Sequence, residues 1–343
     1  MPATTRDSET RDLLLLARAC MDMPRVALWQ VSAVVQRVGS AEAVLEGEVQ
    51  PETQWELAVR VAANEVRPRL QELRGRLEED LRVWGARGLR LTTVFDEDYP
   101  LNLRFVYDRP PFLFYRGELR AEDAYALAVV GTRSATDAGA KRARQMARLL
   151  TDRGVTVLSG LAKGIDTAAH AATLEAKGRT VAVLGHGFEH MYPKENGALA
   201  DAIAERGAVV SQFFPPTPPT RRTFPLRNVV TSGMGQGTIV IEANKTSGAR
   251  LQARLAIEHG KHAFLLSSLV QEYEWARDFA AKERVVVIEG VDEVRAFLRT
   301  PAELSGEWDE RRSEILAATA EPPEYVQRRL SQVRDRDQQQ LSL

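Results

Sequence analysis

Four short segments gather residues suited to holding phosphates, and each follows an apolar run. The first is Gly131-Thr132-Arg133-Ser134, directly after Ala126–Val130. A glycine there lets backbone approach a ligand closely, the helix that follows offers free N–H groups to an anion, and Arg133 adds a bidentate phosphate donor. The second is Ser159-Gly160-Leu-Ala-Lys163-Gly164-Ile-Asp166. It combines two glycines, a lysine and a helix start; Asp166 also reads as the N-cap of the helix running through His170. The third is the proline-rich stretch Phe213 to Asn228, which ends in Arg221, Arg222, Phe224, Arg227 and Asn228. A loop of that length inside a folded domain is usually functional or a linker. The fourth carries Lys245, Ser247, Gly248 and Arg250 into a further helix. From Arg221 to Arg254 six side chains are basic and one, Glu242, is acidic. This excess on loops is an electrostatic footprint for a polyanion, although a solvated basic face has the same composition.

Other chemistries lack their signatures. No P-loop, no Gly-x-Gly-x-x-Gly after the first apolar run and no Gly-x-Ser-x-Gly elbow occurs in the chain. His186 and His190 are four apart but lie among glycine and proline, so a helical metal pair is not expected, and His170 has no second ligand at metal spacing. His170 reads as a packed or solvated side chain. Tyr192-Pro193 reads as a turn before a helix opened by Asn196. Cys20 is the sole cysteine, which excludes an internal disulfide. The segments look built to hold phosphates, with no metal and no cofactor.

Seven apolar runs must position these loops: 126–130, 155–158, 180–184, 208–211, 238–241, 262–266 and 284–288. Helical patterns such as Gly139 to Arg153 separate most of them. Continuous β-branched runs alternating with helices mean buried parallel strands, hence an α/β, Rossmann-like, doubly wound parallel sheet. Ligands of such sheets bind beyond the carboxyl ends of the strands, where strand order reverses. Upstream, residues 9 to 87 read as helices interrupted at Pro68, with Ser40 as a cap. The expected organisation is a helical domain over residues 1–88, a connector with short strands over 89–120, the sheet domain over 121–299, and a polar tail over 300–343.

The 343 residues carry 46 basic and 47 acidic side chains, for a net charge of −1, so global charge lends no support to a nucleic-acid partner. No eighteen apolar residues run together, which argues against a membrane span, and the N-terminus lacks the layout of a secretory signal. A reducing cytoplasm is the expected location.

Taken in order, Val130-Gly-Thr-Arg133, Ser159 to Asp166 with Ala169-His170, Ala182-Val-Leu-Gly185, Tyr192-Pro-Lys-Glu-Asn196, Phe224-Pro-Leu-Arg-Asn228 and Ser247-Gly248 resemble the DNA-processing protein A family (DprA, also called Smf). Val38 to Leu45 looks like that family's helical N-terminal domain, of SAM or helix-hairpin-helix type, and Tyr99-Pro100-Leu101 with Pro110 to Gly117 resembles its lead-in to the sheet. The resemblance covers roughly residues 10 to 298. It implies a non-catalytic, sequence-independent binder of single-stranded DNA that protects incoming strands in natural transformation. It also implies loading of a RecA-type recombinase and homodimerisation through the sheet domain. By motif, Gly131, Arg133, Ser159, Gly160, Lys163, Arg227, Ser247 and Gly248 would line the strand site, with Phe224 stacking or packing nearby; Thr132, Gly164, Arg221, Arg222, Asn228, Lys245 and Arg250, on the same loops, complete the set of candidate DNA- or phosphate-binding residues.

Several positions depart from the family pattern. Val229 stands where a second arginine is usual, Thr246-Ser-Gly-Ala249 has its base displaced to Lys245, and Ser267-Ser268 replaces a Pro-Gly. The Gly-x-Asn that follows is absent near Gln271 to Glu274, Asp22-Met-Pro-Arg25 replaces a glycine-rich hairpin, and no winged-helix domain is expected after the sheet. These departures also fit an accessory or defence role. The alternative is a nucleotide-binding or phosphoribohydrolase-like enzyme of the wider superfamily, since Gly235-Gln-Gly-Thr238 followed by Glu242 faintly resembles its motif. In that motif the carboxylate comes one residue earlier, so on a strand Glu242 turns to the other face.

Overall fold

The apolar positions of the N-terminal third form five helices in a computed structural model of the chain, which describes residues 3–21, 23, 26–245, 247–317 and 323–326. They are α1 (Ala3–Met21), α2 (Leu28–Val38), α3 (Ala41–Glu46), α4 (Gln54–Val66) and α5 (Leu70–Ala86). Local chemistry sets their ends. Gly39 and Gly47 close α2 and α3 with positive φ, and Ser40 and Thr53 accept the free amides of Ala43 and Glu56. A 3₁₀ turn at Arg67–Arg69 marks the break at Pro68. Asp12 and Arg74 form a buried bidentate pair at 2.9 and 2.6 Å that ties α1 to α5. Of the segment Asp22 to Arg25, only Met23 lies among the described residues.

The connector joins the sheet instead of standing apart. After α6 (Leu101–Arg104), β2 (Phe112–Gly117) pairs antiparallel both with β1 (Arg90–Thr93) and with a strand of the parallel set. That set is β3 (Ala126–Val130), β4 (Thr156–Ser159), β5 (Thr180–Val183), β6 (Ala208–Ser211), β7 (Gly237–Val240), β8 (His262–Leu266) and β9 (Val285–Ile288). The nine strands run in the order β1-β2-β6-β5-β4-β3-β7-β8-β9. The seven parallel strands match the seven apolar runs of the sequence. Strands β3 to β7 are buried along their whole length, which is why their runs are continuous rather than alternating. Two further strands extend the sheet, because Phe112 and Phe114, alternate residues of β2, pack edge-on to each other, Phe114 edge-on to Trp84 of α5 and Phe112 against Phe214.

Crossovers α7 (Asp137–Thr151), α8 (Ile165–Glu175) and α9 (Gly197–Arg206) lead away from β3 in one direction; α10 (Thr223–Met234) and α11 (Gly248–Glu258) lead back across it and onward. Right-handed connections therefore put the first three helices on one face and the other two on the opposite face. After β8 come α12 (Ser267–Glu272) and α13 (Glu274–Ala280), and after β9 come α14 (Asp292–Arg295) and α15 (Pro301–Ala317). Helix α15 lies in the segment read as a polar tail. Its Leu304 and Trp308, spaced i and i+4, are buried, with Trp308 edge-on to Phe105. Residues 327–343 lie outside the described residues, and no described helix is long and apolar enough to cross a membrane.

One half-buried lysine holds the helix that carries Phe224 and Arg227. Lys261 donates from Nζ to the carbonyls of Ser232 (2.9 Å), Gly233 (2.7 Å) and Gly235 (2.7 Å), closing the C-terminal end of α10. Lys261→Met leaves these acceptors unpaired, and urea denaturation is expected to show a loss of about 2–4 kcal/mol.

Candidate nucleic-acid interface

Strand order reverses between β3 and β7, which pair in register from Ala128 opposite Thr238 to Val130 opposite Val240. Their outgoing loops diverge, one toward α7 and the other toward α11, and a cavity of about 360 Å³ opens between them. Gly131, Thr132, Phe224, Arg227, Asn228 and Gly248 line it, with Arg133 at its rim. A recess of about 40 Å³ adjoins it, lined by Arg133, Lys163, Tyr192 and Phe224 among others.

Close packing dictates the glycines. A Cβ at Gly131 would fall 2.3 Å from Ile165 Cγ1, and one at Gly160 would fall 2.1 Å from Arg227 Nη1. Gly164 has φ +80°, and a Cβ there would meet the Thr132 carbonyl oxygen at 2.4 Å. The 160–164 loop is fixed from three sides. Asp166 accepts from the amides of Gly160 (3.1 Å) and Ala162 (3.4 Å); Asn196 donates from Nδ2 to Leu161 O (2.8 Å). From the third side, Arg227 Nη1 donates to Gly160 O and to Val183 O, the latter at 2.7 Å. Asp166 is therefore not the side-chain cap expected from sequence. Gly164 occupies the N-cap position of α8, and the Asp166 carboxylate turns back to hold its own loop.

The cationic residues divide into two kinds. Arg227 is buried and spends its donors on two carbonyls and on Asn228 Oδ1 (3.1 Å), while burial lowers its pKa against the opposing charge of Asp166. Arg133 and Lys163 are exposed. The Arg133 guanidinium lies 5.0 Å above the Phe224 ring, and Tyr192, 45% exposed, lies 5.6 Å from that ring on another side. Lys163 Nζ reaches Glu195 at 2.6 Å, an exposed pair that a phosphate could displace.

Not every expected residue faces the cavity. Ser159 is fully buried and donates to Val129 O at 2.7 Å, pinning β4 to β3. Arg221 and Arg222 are exposed on the turn before α10, outside the lining. Lys245 and Arg250 are exposed beyond the opposite lip, with the Arg250 guanidinium over Trp275 at 5.7 Å. Ser247 lines the cavity and caps α11 by accepting from Ala249 N at 3.2 Å; Thr246 lies outside the described residues. Sequence reasoning missed Thr231, Asn244 and Gln252, which also line the cavity. The available signal for Gln252 was a polar residue on the alanine-rich buried stripe of α11.

The neighbouring titratable groups are structural. Glu242 accepts from Thr136 Oγ1 at 2.8 Å at the N-terminus of α7, and a Cβ at Gly139 would fall 1.6 Å from its Oε2. It is absent from the cavity lining. His186 bonds through Nδ1 to Gly187 O (2.9 Å) and accepts at Nε2 from Tyr192 N (3.2 Å). Among the described residues no group of three or more His, Cys, Asp or Glu is placed to hold a metal. His170 is fully buried, bonds to Thr180 Oγ1 at 2.7 Å, and burial pushes its pKa down from 6.5 to about 3.

Two outcomes follow from these burials. Arg227→Ala removes the partner of two carbonyls and of Asp166, so denaturation should show about 3–5 kcal/mol of lost stability whether or not a ligand is present. Below pH 6.5 the unfolded chain takes up a proton at His170 that the folded chain refuses until about pH 3, so the stability from this group falls as pH falls through that window. His170→Leu removes that dependence. The wild type should lose stability relative to the variant by up to about 1.4 kcal/mol per pH unit, read from urea denaturation across the window.

Comparison with known proteins places this geometry. The family model for DNA recombination-mediator protein A matches residues 90–295, more than half of the chain. The DNA processing protein DprA of Bacillus subtilis (strain 168) is 33% identical over 215 residues, covering 62% of this chain and 72% of that protein. The protein Smf of Escherichia coli (strain K12) is 42% identical over 171 residues, 50% of this chain and 46% of its own length. The DNA processing protein DprA of Streptococcus pneumoniae (strain R6) is 39% identical over 174 residues, 51% of this chain and 61% of its own length. The chain thus spans about half of the Escherichia coli relative that it matches. The X-ray structure of DNA processing protein A from Streptococcus pneumoniae superposes with a TM-score of 0.68 at 25% identity, covering 84% of this chain and 98% of that one. The Helicobacter pylori protein, whose structure is described in terms of its single-stranded DNA binding mode, shares the fold at a TM-score of 0.53 and 24% identity, over 60% of this chain and 94% of its own. With its Rossmann-like sheet and the loops at its strand ends, this chain belongs to the DNA recombination-mediator protein A family, the DprA/Smf proteins.

Proposed function

We propose that the chain binds single-stranded DNA through its sugar-phosphate backbone, without regard to sequence, and acts as a binder and not as an enzyme. The observation that carries this reading is the pairing of exposed Arg133 and Lys163 with the exposed Tyr192 ring and the half-buried Phe224 ring, beside a cavity walled by hydrogen-bonded loops. Cations track a phosphate backbone and gain from counterion release, while aromatic rings accept any base face. Gly131, Thr132, Gly160, Gly164, Ser247 and Gly248 supply close-approach backbone, and Arg227 with Asn228 holds the floor. Arg221, Arg222, Lys245 and Arg250 lie farther out and extend the positive field along the strand's path. The single-strand binding named for the Helicobacter pylori relative supports the same reading.

In this reading the protein works in the cytoplasm, protects incoming strands in natural transformation and loads a RecA-type recombinase. It does so as a homodimer formed through the sheet domain. The terminal strand β9 supports the last point, because it leaves an edge with exposed Val287 and, nearby, exposed Phe297. The engagement of Glu242 at the α7 N-terminus weighs against the phosphoribohydrolase alternative, in which that carboxylate would act on a nucleoside monophosphate.

Titration of labelled single-stranded and duplex DNA over a salt series tests the proposal. The single strand should bind more tightly, with affinity falling steeply as salt rises. Arg133→Ala and Lys163→Ala should each weaken binding to all sequences alike and flatten the log–log salt slope by about 0.7, with no loss of thermal stability. Equal affinity for duplex, or release of ribose 5-phosphate from a nucleoside monophosphate, would refute it.

A further inference from the structure

The chain that leaves the crevice at Arg133 enters α7 through its cap Thr136. From Ala138 to Thr151 the sequence of that helix holds four cations, Lys141, Arg142, Arg144 and Arg148, and no carboxylate. The inner stripe of α7, from Gly139 through Ala143 and Met146 to Leu150, is buried. That turns Lys141, Gln145 and Arg148 outward in one line, with Arg142 and Arg144 on its flanks.

A helix face that is merely solvated mixes its signs, as α5 and α15 do. Arg69 and Arg76 meet Glu72 on α5, and Arg311 meets Glu307 and Glu314 on α15. The cations of α7 have a poorer supply. Among the described residues, Arg144 (2.6 Å) and Arg148 (3.0 Å) share the single carboxylate of Glu175 at the end of α8, and Lys141 and Arg142 have no ion-pair partner. Arg144 also stands one turn from both Lys141 and Arg148, a like-charge spacing that weakens a helix. Since the whole chain is balanced at a net charge of −1, this excess is local, and it begins near the rim where Arg133 stands.

Resting on the single-strand reading above, we propose that the strand, once past Arg133, continues outside the crevice along the outer face of α7, where these four cations hold its phosphates. A crossover between parallel strands runs back toward their amino ends, so the stripe leads away from the crevice for about 10 Å of helix axis. An exposed ion pair contributes little, and arriving phosphates replace Glu175 at Arg144 and Arg148. These contacts read charge alone and add affinity equally for every sequence.

The test uses the full chain and two labelled oligothymidylates, one just long enough to fill the crevice and one several times longer, each titrated over a salt series. The wild type should show the steeper log–log salt slope with the longer strand. Lys141→Ala combined with Arg142→Ala should flatten that slope by about 1.4 and weaken the longer strand about 25-fold in about 0.1 M salt, while the short strand binds as before. Glu175→Gln, which frees Arg144 and Arg148, should tighten the longer strand and leave the short one unchanged. Arg69→Ala combined with Arg76→Ala, the same charge change on α5, should affect neither, and melting curves establish that all three variants fold. The proposal is overturned by equal wild-type slopes for the two strands, by a double variant of α7 that weakens both strands alike, or by the same loss in the α5 variant. A Glu175→Gln chain that binds the longer strand no more tightly also overturns it. If the wild type binds neither strand, the single-strand reading itself fails, a result distinct from these.

Discussion

The reversal of strand order between β3 and β7 is the constraint on which the rest of the molecule depends. Elsewhere in the parallel set, consecutive crossovers lead the same way along the sheet. At the reversal they part, and a crevice opens that no crossover can fill. A crevice lined by backbone is useful only if that backbone is held still. The glycines, the Asp166 carboxylate, the Asn196 amide and the Arg227 guanidinium serve that end by locking the 160–164 loop against its neighbours.

Rigidity here comes from buried charge, and the same physics separates scaffold from working surface. Removing a guanidinium from water is costly, so Arg227 is tolerated only because carbonyl oxygens and a nearby carboxylate replace its hydration. A cation so thoroughly engaged has little left for a ligand. Arg133 and Lys163, by contrast, keep their hydration and their freedom, held by a ring face and one exposed carboxylate. Glu242 makes the complementary point. A carboxylate just beyond the end of β7 invites a catalytic reading, yet its oxygens are engaged by the hydroxyl and amide that open α7.

The helical third and the sheet share one apolar core, in which Trp84 and Arg18 lie against Phe214 while Ser32 donates to the Arg109 carbonyl. The loops at the strand ends are therefore carried on a body that extends well beyond the parallel sheet. Lys261 shows how far such support reaches: it sits at the opposite end of α10 from Phe224, and the helix it closes sets where that ring lies.

Linear patterns by themselves determined a good deal. Period and composition locate the parallel strands, because a strand buried on both faces must be apolar along its whole length, and glycines beside basic residues at strand ends mark the loops of the crevice. What they did not determine was direction and company. Ser159, Arg227 and Arg133 look alike in a string of motif residues, yet one is a sheet pin, one a buried brace and one an exposed cation over a ring face. Burial is a property of the neighbours that the fold brings up, and those come from 30 to 67 positions away in the bonds of Ser159 and Arg227. Asp166 reads as a cap because capping is a local habit of aspartate; only the folded loop shows two amides competing for it. Gln252 gave still less sign, since an amide among alanines has no meaning until the cavity beside it exists.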